Sequence, residues 1–252
     1  MKTEYLGGLP VDVLRYEDIT ADIPNYLAEQ KKMIITSVNP QITLQAYEHE
    51  EVFQYIHRAT HRIADGIGIV KMSKWMGGEI RERITGIEVM DRCLVYANAH
   101  ACRIFLYGAQ KEVVEKAAAN IKKQYPNLVV AGHLHGYTAK NDQRIVELIN
   151  QAQPTFLFVA LGSPKQEIFL ERNVDQLSAS VYLNVGGTFD VLSGMVRRAP
   201  DFFIKHNIEW LYRSIKYNRY DRLVQIPQYI WKVLKMKRTK ATHKKPKQEK
   251  NH

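Results

Sequence analysis

Asp65 stands in an Ala-Asp-Gly sequence and offers a carboxylate that can take a proton from a hydroxyl. A positioned group of this kind contributes ~10²–10⁴-fold to a rate. The same Asp-Gly pair also closes turns, and from the residues alone that plainer role is the stronger one. Ser37 and Asn39 follow an apolar run read as a strand, where short polar side chains reach a sugar or a base. Ahead of Pro40 they equally suit turn chemistry. Arg83 presents a planar fork that fits a diphosphate, or else pairs with Glu79 or Glu82 at the surface. Gln166 and Glu167 open a predicted helix. There Gln166 can bond a sugar hydroxyl or amide, while Glu167 complements the helix dipole. Asp190, in Gly-Gly-Thr-Phe-Asp, either accepts from a uracil N–H or caps a helix. Tyr137 contacts a sugar or fills the edge of the core. His133 and His135 flank Leu134, but with no third ligand nearby they read as strand-end residues and not as a metal pair.

These residues need a scaffold, and the hydrophobic pattern supplies one. Met33–Thr36, Arg103–Tyr107, Thr155–Leu161 and Val181–Val185 read as buried parallel strands. Polar segments of helical period separate them, among them Lys111–Gln124 and Asp142–Gln151. Val52–Ala64 has helical spacing as well and runs directly into Asp65-Gly66. Strands alternating with helices predict an α/β, Rossmann-like fold: a mostly parallel sheet with helices on both faces. Three strands end in glycine-bearing turns, at Gly108, at Gly162 and at Gly186-Gly187. Ligands of open α/β sheets sit beyond the strands' carboxyl ends, where helix N-termini favour phosphate. One such turn would merely close a connection; three favour a nucleotide or nucleotide-sugar.

Neither GxGxxG after a strand nor GxxxxGK[ST] is present, which argues against a dehydrogenase or a P-loop NTPase. There is also no Asp-x-Asp to hold a metal on a diphosphate. The charge of such a ligand would then fall to arginines and helix ends, with no metal cofactor.

A length of 252 residues with 45% hydrophobic and 25% charged residues suits a folded chain, not a disordered one. The N-terminus lacks the pattern of a signal peptide, and no window approaches the ~18–20 apolar residues of a spanning helix. Cys93 and Cys102, without metal spacing, suggest structural thiols in a reducing compartment. The expectation is a cytoplasmic protein whose membrane contact is peripheral. Charge is split sharply. Residues 197–252 carry 16 Lys or Arg against 4 Asp or Glu, whereas the first 196 carry 20 against 22. Phe202, Phe203, Trp210, Tyr212, Tyr217, Tyr220, Tyr229 and Trp231 interleave with the basic residues, a composition suited to an anionic surface over an apolar layer. The organisation read from this is a core over 1–195, a basic helical appendage over 196–236 that meets a membrane, and a Lys-rich, disordered tail over 237–252. Pro200 can open the first helix of the appendage, over Asp201–Tyr220, and Pro227 breaks the path before Tyr229–Met236.

A series of motifs runs through the chain in order. They are Ser37-Val38-Asn39-Pro40, Ala64-Asp65-Gly66, Arg83-Ile84-Thr85-Gly86, His135-Gly136-Tyr137, Gly162-Ser163-Pro164-Lys165-Gln166-Glu167, Gly186-Gly187-Thr188-Phe189-Asp190, Arg198-Ala199-Pro200 and Glu209-Trp210-Leu211-Tyr212-Arg213. Together, over roughly Tyr5 to Pro227, they resemble the WecG/TagA/CpsF glycosyltransferases, most closely the TagA/TarA branch that begins the wall teichoic acid linkage unit in Gram-positive bacteria. The family usually has Thr where this chain has Ser37, so the hydroxyl is kept. The resemblance implies inverting transfer of N-acetylmannosamine from UDP-ManNAc to undecaprenyl-diphosphate-linked GlcNAc, giving a β-1,4-linked disaccharide lipid at the inner face of the cell membrane. It favours Asp65 as general base. It also implies substrate contacts for Ser37, Asn39, Arg83, Gly108, Tyr137, Gln166, Glu167, Gly187 and Asp190. If the appendage folds back over the pocket, Arg213, Arg219 and Arg222 would neutralise charge on departing UDP.

Other readings stay open at this stage. Relatives with similar motifs use other UDP-sugars, and a homo-oligomer is compatible with the sequence. A basic aromatic tail also suits nucleic acid, although the glycine turns of the body speak for a small-ligand pocket instead. A catalytically silent adaptor at the membrane is a third reading.

Overall fold

The structure is a computed structural model that describes residues 1–206, 209–216, 227–229, 231 and 233. Its centre is a six-stranded sheet in the order β4-β3-β8-β7-β5-β6, built from β3 (Met33–Val38), β4 (His61–Ala64), β5 (Arg103–Gly108), β6 (Val129–Leu134), β7 (Phe156–Ala160) and β8 (Val181–Asn184). Every pairing in it is parallel. Side chains alternate between two cores along each strand. Ile35, Phe156 and Phe158 face one, and Ile34, Leu157 and Val159 face the other. The first core is closed by α1 (Tyr16–Ala28), α5 (Gly86–Ala99), α6 (Lys111–Gln124) and α9 (Thr188–Leu192). The second is closed by α3 (Glu50–Arg58), α7 (Asp142–Gln151) and α8 (Lys165–Asn173). Strands buried on both faces must be apolar throughout, which explains why four of the six are visible as unbroken apolar runs. The α/β, Rossmann-like expectation therefore holds.

Two strands depart from the sequence reading. The helical spacing of Val52–Ala64 ends at Arg58, and His61–Ala64 is the edge strand β4. Ile56 and Ile63 stand seven apart, as on a helix, yet Ile63 pairs with Ser37 of β3. Asp65 consequently follows a strand, not a helix. β6 was not foreseen because it forms the other edge of the sheet, where its side chains are only partly covered.

The free side of β4 is covered by a hairpin of β1 (Thr3–Leu6) and β2 (Leu9–Asp12), which shields an edge that could otherwise pair with another chain. Buried Asp12 fixes it there. Its carboxylate accepts from the Arg62 backbone at 2.8 Å, from Arg62 Nε at 2.9 Å and from Thr3 Oγ1 at 2.7 Å. A third core joins this hairpin to α2 (Pro40–Glu48) and α4 (Ile67–Trp75). Tyr229 and Val233 belong to it as well, so the C-terminal segment returns to the N-terminal hairpin, and Tyr229 is a buried core residue instead of one of the aromatics offered to an apolar layer.

After Pro200 the chain forms α10 (Asp201–Lys205) and α11 (Glu209–Lys216), with Glu209 and Ser214 buried. The expected helix over Asp201–Tyr220 is thus two helices as far as Lys216. Residues 217–226 and the tail from 234 lie outside the described residues. No helix among the described residues is long and apolar enough to cross a membrane. Both cysteines are free thiols, and burial pushes Cys93 up to about 12.

One close approach governs the sheet centre. Gly108 has φ +128°, and a Cβ there would lie 2.4 Å from the carbonyl of Ala160. Gly108→Ala is expected to cost about 3 kcal/mol or more, from strain plus overpacking against main chain. Gly194 also has positive φ, at +77°, but with nothing within 4 Å. Gly194→Ala should cost only about 1 kcal/mol. Urea unfolding of the two variants checks the difference.

Candidate active site

The carboxyl ends of all six parallel strands border one cavity of about 1340 Å³. This is where an open α/β sheet places its ligand. Ser37 and Asn39 come from the end of β3, Asp65 from β4, Gly162 from β7, Gly186 and Gly187 from β8, and Ala109 and Tyr137 from the turns after β5 and β6. A Cβ on Gly162 or Gly186 would meet nothing within 4 Å, and both have positive φ, at +77° and +51°. Glycine keeps these turns bare, so a ligand can approach the main chain closely.

Asp65 is half-buried and borders the cavity. Burial raises its carboxyl from 3.8 to about 6. The nearby Arg83 charge and a hydrogen bond from Ser37 pull it down, while the charges of Glu209 and Glu88 push it up. A carboxylate poised near 6 is a stronger base than an ordinary aspartate and is still ionised at neutral pH. Gly66 has φ +154°, a conformation few side chains tolerate, and this lets α4 begin directly after Asp65.

Most of the residues expected from the sequence meet here. Ser37, Asn39, Asp65, Arg83, Tyr137, Gln166, Gly187 and Asp190 all line the cavity. Asn39 has the local turn role: its Oδ1 caps α2 by accepting from the Ile42 N–H at 2.9 Å, and the residue also borders the cavity. Tyr137 stands at the rim, 75% exposed. Gly108 does not border the cavity, whereas its neighbour Ala109 does. Glu167 does not border it either. It is fully buried behind Gln166, and its Oε1 accepts from Gln166 Nε2 at 2.8 Å and from Asn184 Nδ2 at 2.9 Å. Gln166 Oε1 in turn accepts from the Gly186 N–H at 3.2 Å. Glu167 thus holds Gln166 and, through it, the glycine turn after β8. Burial raises the Glu167 carboxyl, against the pull of these hydrogen bonds. Of the three appendage arginines, Arg219 and Arg222 lie outside the described residues, as does the Arg213 side chain. Among the described residues no three His, Cys, Asp or Glu side chains gather as metal ligands, His133 and His135 included.

Other residues enter that were not singled out. Glu209 and Tyr229 bring the C-terminal segment to the cavity wall. The Arg83–Gly86 and Arg198–Pro200 motifs meet through Glu88. Glu88 Oε2 accepts from Thr85 Oγ1 at 2.8 Å and also from the Tyr16 hydroxyl, while Arg198 Nη2 donates to Glu88 Oε1 at 2.7 Å. Thr85-x-x-Glu88 is a capping-box spacing that could have been noticed in the sequence.

A family model described as the Glycosyl transferase WecG/TagA/CpsF family matches residues 4–243. The chain belongs to this family. It is 37% identical over 234 residues to the N-acetylglucosaminyldiphosphoundecaprenol N-acetyl-beta-D-mannosaminyltransferase of Staphylococcus aureus strain NCTC 8325 / PS 47, covering 92% of each chain. The enzyme of the same name from strain MRSA252 is 36% identical over the same length, again with 92% of each chain covered.

Two outcomes follow from the site. A raised carboxyl makes the folded state bind its proton more tightly than the unfolded one, so ionising Asp65 costs stability as pH rises from 3.8 toward about 6. Asp65→Asn should therefore raise the melting temperature at pH 7.5, and the gain should vanish below pH 4. Glu167→Gln preserves the acceptor oxygen, whereas Glu167→Ala strands two buried amides. The Ala variant should lose about 2–4 kcal/mol and the Gln variant less than about 1, as read by urea unfolding.

Proposed function

We propose that this protein transfers N-acetylmannosamine from UDP-ManNAc to the 4-hydroxyl of GlcNAc-diphospho-undecaprenol, with inversion, as the first committed sugar transfer in building the wall teichoic acid linkage unit. The observation that carries this reading is Asp65. It is a carboxylate raised to about 6, open to a cavity ringed by bare glycine turns and bordered by Arg83. The names of the Staphylococcus aureus relatives supply the sugar and the acceptor.

Asp65 takes the proton of the acceptor hydroxyl as its oxygen attacks the anomeric carbon, and the bond to UDP breaks on the opposite face. The base must be ionised at the start, which a pKa near 6 allows at neutral pH. Ser37 and Arg83 hold the carboxylate in place, and Arg83 favours the ionised form. Main-chain N–H groups at Gly162 and Gly187, which border the cavity, suit the donor diphosphate. No metal is required in this scheme, consistent with the lack of an Asp-x-Asp motif. Arg213, Arg219 and Arg222 are assigned to the charge on departing UDP. The basic residues from 197 onward, with exposed Phe202 and Trp231, hold the enzyme on the anionic inner face of the cell membrane, where the acceptor resides. The cavity at the strand ends favours this reading over a nucleic-acid-binding protein.

Turnover of UDP-ManNAc with a GlcNAc-diphospho-lipid analogue tests the proposal. Activity should rise with pH through about 6 and level off above it, and Asp65→Asn should lose ~10²–10⁴-fold. Wild-type inactivity with this pair, or an Asp65→Asn variant of full activity, would sink the reading. Truncation after Met195 removes Glu209, Tyr229 and the three arginines. It should lower kcat at least ~10-fold even on a soluble acceptor. Unchanged turnover there would reduce the C-terminal segment to an anchor.

A further inference from the structure

Two diphosphates must be accommodated if the transfer above is right, one on each substrate. The described lining offers carboxylates at Asp65, Asp190 and Glu209 but only two cations, Arg83 and Lys71. Arg83 lies against Asp65. Lys71 forms no ion pair among the described residues, although its side chain borders the cavity. Lys71 is exposed, and its place on the cavity-lining face of α4 puts its charge within reach of an anionic ligand.

Lys71 sits on α4, which lines the cavity along a single face. Ile67, Gly68, Lys71, Met72 and Trp75 recur at the three- and four-residue spacing of one helical stripe, and all border the cavity. The glycine turns that suit a nucleotide diphosphate belong to β7 and β8, nearer the middle of the sheet. α4 belongs to β4 at the edge, and it begins two residues after the base. The reacting hydroxyl of the acceptor must lie at Asp65, so the rest of the acceptor extends away from it. With a rise of 1.5 Å per residue, Lys71 stands ~6 Å and Trp75 ~12 Å along the helix from Ile67, where α4 begins. One sugar ring separates the reacting hydroxyl from the diphosphate, and the lipid follows. Beyond Lys71 the stripe turns apolar, from buried Met72 to Trp75, which is 55% exposed.

We infer that α4 is the acceptor wall of the site: Lys71 binds the diphosphate of the isoprenoid-linked acceptor, and Trp75 flanks the first isoprene units. This rests on the reading of Asp65 as the base that faces the acceptor. The lysine contributes a point charge with three rotatable donors, suited to a diphosphate that arrives on a mobile lipid.

Steady-state kinetics of Lys71→Ala, Lys71→Arg and Trp75→Ala test the inference. They use UDP-ManNAc with GlcNAc-diphospho-farnesyl and GlcNAc-monophospho-farnesyl acceptors. Lys71→Ala should raise the KM for the diphosphate acceptor at least ~10-fold and leave the donor KM within ~3-fold. Its preference for diphosphate over monophosphate should shrink, and Lys71→Arg should restore most of it. Trp75→Ala should reduce the gain from a longer isoprenoid chain. A rise in donor KM instead, or an unchanged acceptor KM in Lys71→Ala, would overturn the assignment. If the wild-type enzyme fails to transfer this sugar at all, the reading of the reaction fails. Titration calorimetry with farnesyl diphosphate then tests Lys71 separately: weaker binding to Lys71→Ala than to wild type upholds the site, and equal binding ends it.

Discussion

A carboxylate that works as a base near neutral pH must be dry enough to want its proton and supported enough to give it up. In this protein the conflict is resolved at the end of β4. Burial pushes the Asp65 carboxyl upward, and the Arg83 charge and Ser37 hydroxyl limit the rise to about 6. Everything that places these three groups is a property of the sheet. β3 and β4 are parallel neighbours in a register that pairs Ser37 with Ile63 and Val38 with Ala64. That register brings the hydroxyl beside the carboxylate, and a slip of one residue would turn Ser37 to the opposite face.

The edge position of β4 makes this arrangement vulnerable, and the structure protects it from several sides. The N-terminal hairpin covers the strand and is held by the buried Asp12–Arg62 pair. Tyr229 and Val233 then pack on the hairpin, tying the far end of the described chain to its beginning. The Tyr16–Thr85–Glu88–Arg198 network joins the Arg83 loop to the start of the C-terminal segment. These contacts explain how a basic extension can influence a carboxylate in the core. Glu209 of α11 lies near enough to add its charge to the balance at Asp65.

Much of this was legible in the sequence, and the exceptions have physical causes. Strands buried on both faces announce themselves, so β3, β5, β7 and β8 could be found, and the glycine turns marked the ligand edge. β4 was hidden because it is short and half polar, and because Ile63 continues the spacing of α3. β6 was hidden because an edge strand needs little hydrophobicity. The motifs brought Asp65, Arg83 and Gln166 into view but gave Glu167 the wrong address: its neighbour faces the cavity while Glu167 is turned inward to Asn184. Lys71 carries no local signal, and the aromatic pattern that marked Tyr229 pointed to a membrane and not to the core. Their position at the cavity depends on tertiary packing between distant segments.

The central claim is that Asp65 titrates far above an ordinary aspartate in the folded enzyme. Carbon-13 NMR titration of the aspartate carboxyl groups, with Asp65 assigned by its loss in Asp65→Asn, measures this directly. A midpoint at about 6 is expected for this one resonance. A midpoint near the usual 3.8 would contradict it, because the site would then hold a weak base that burial had not strengthened.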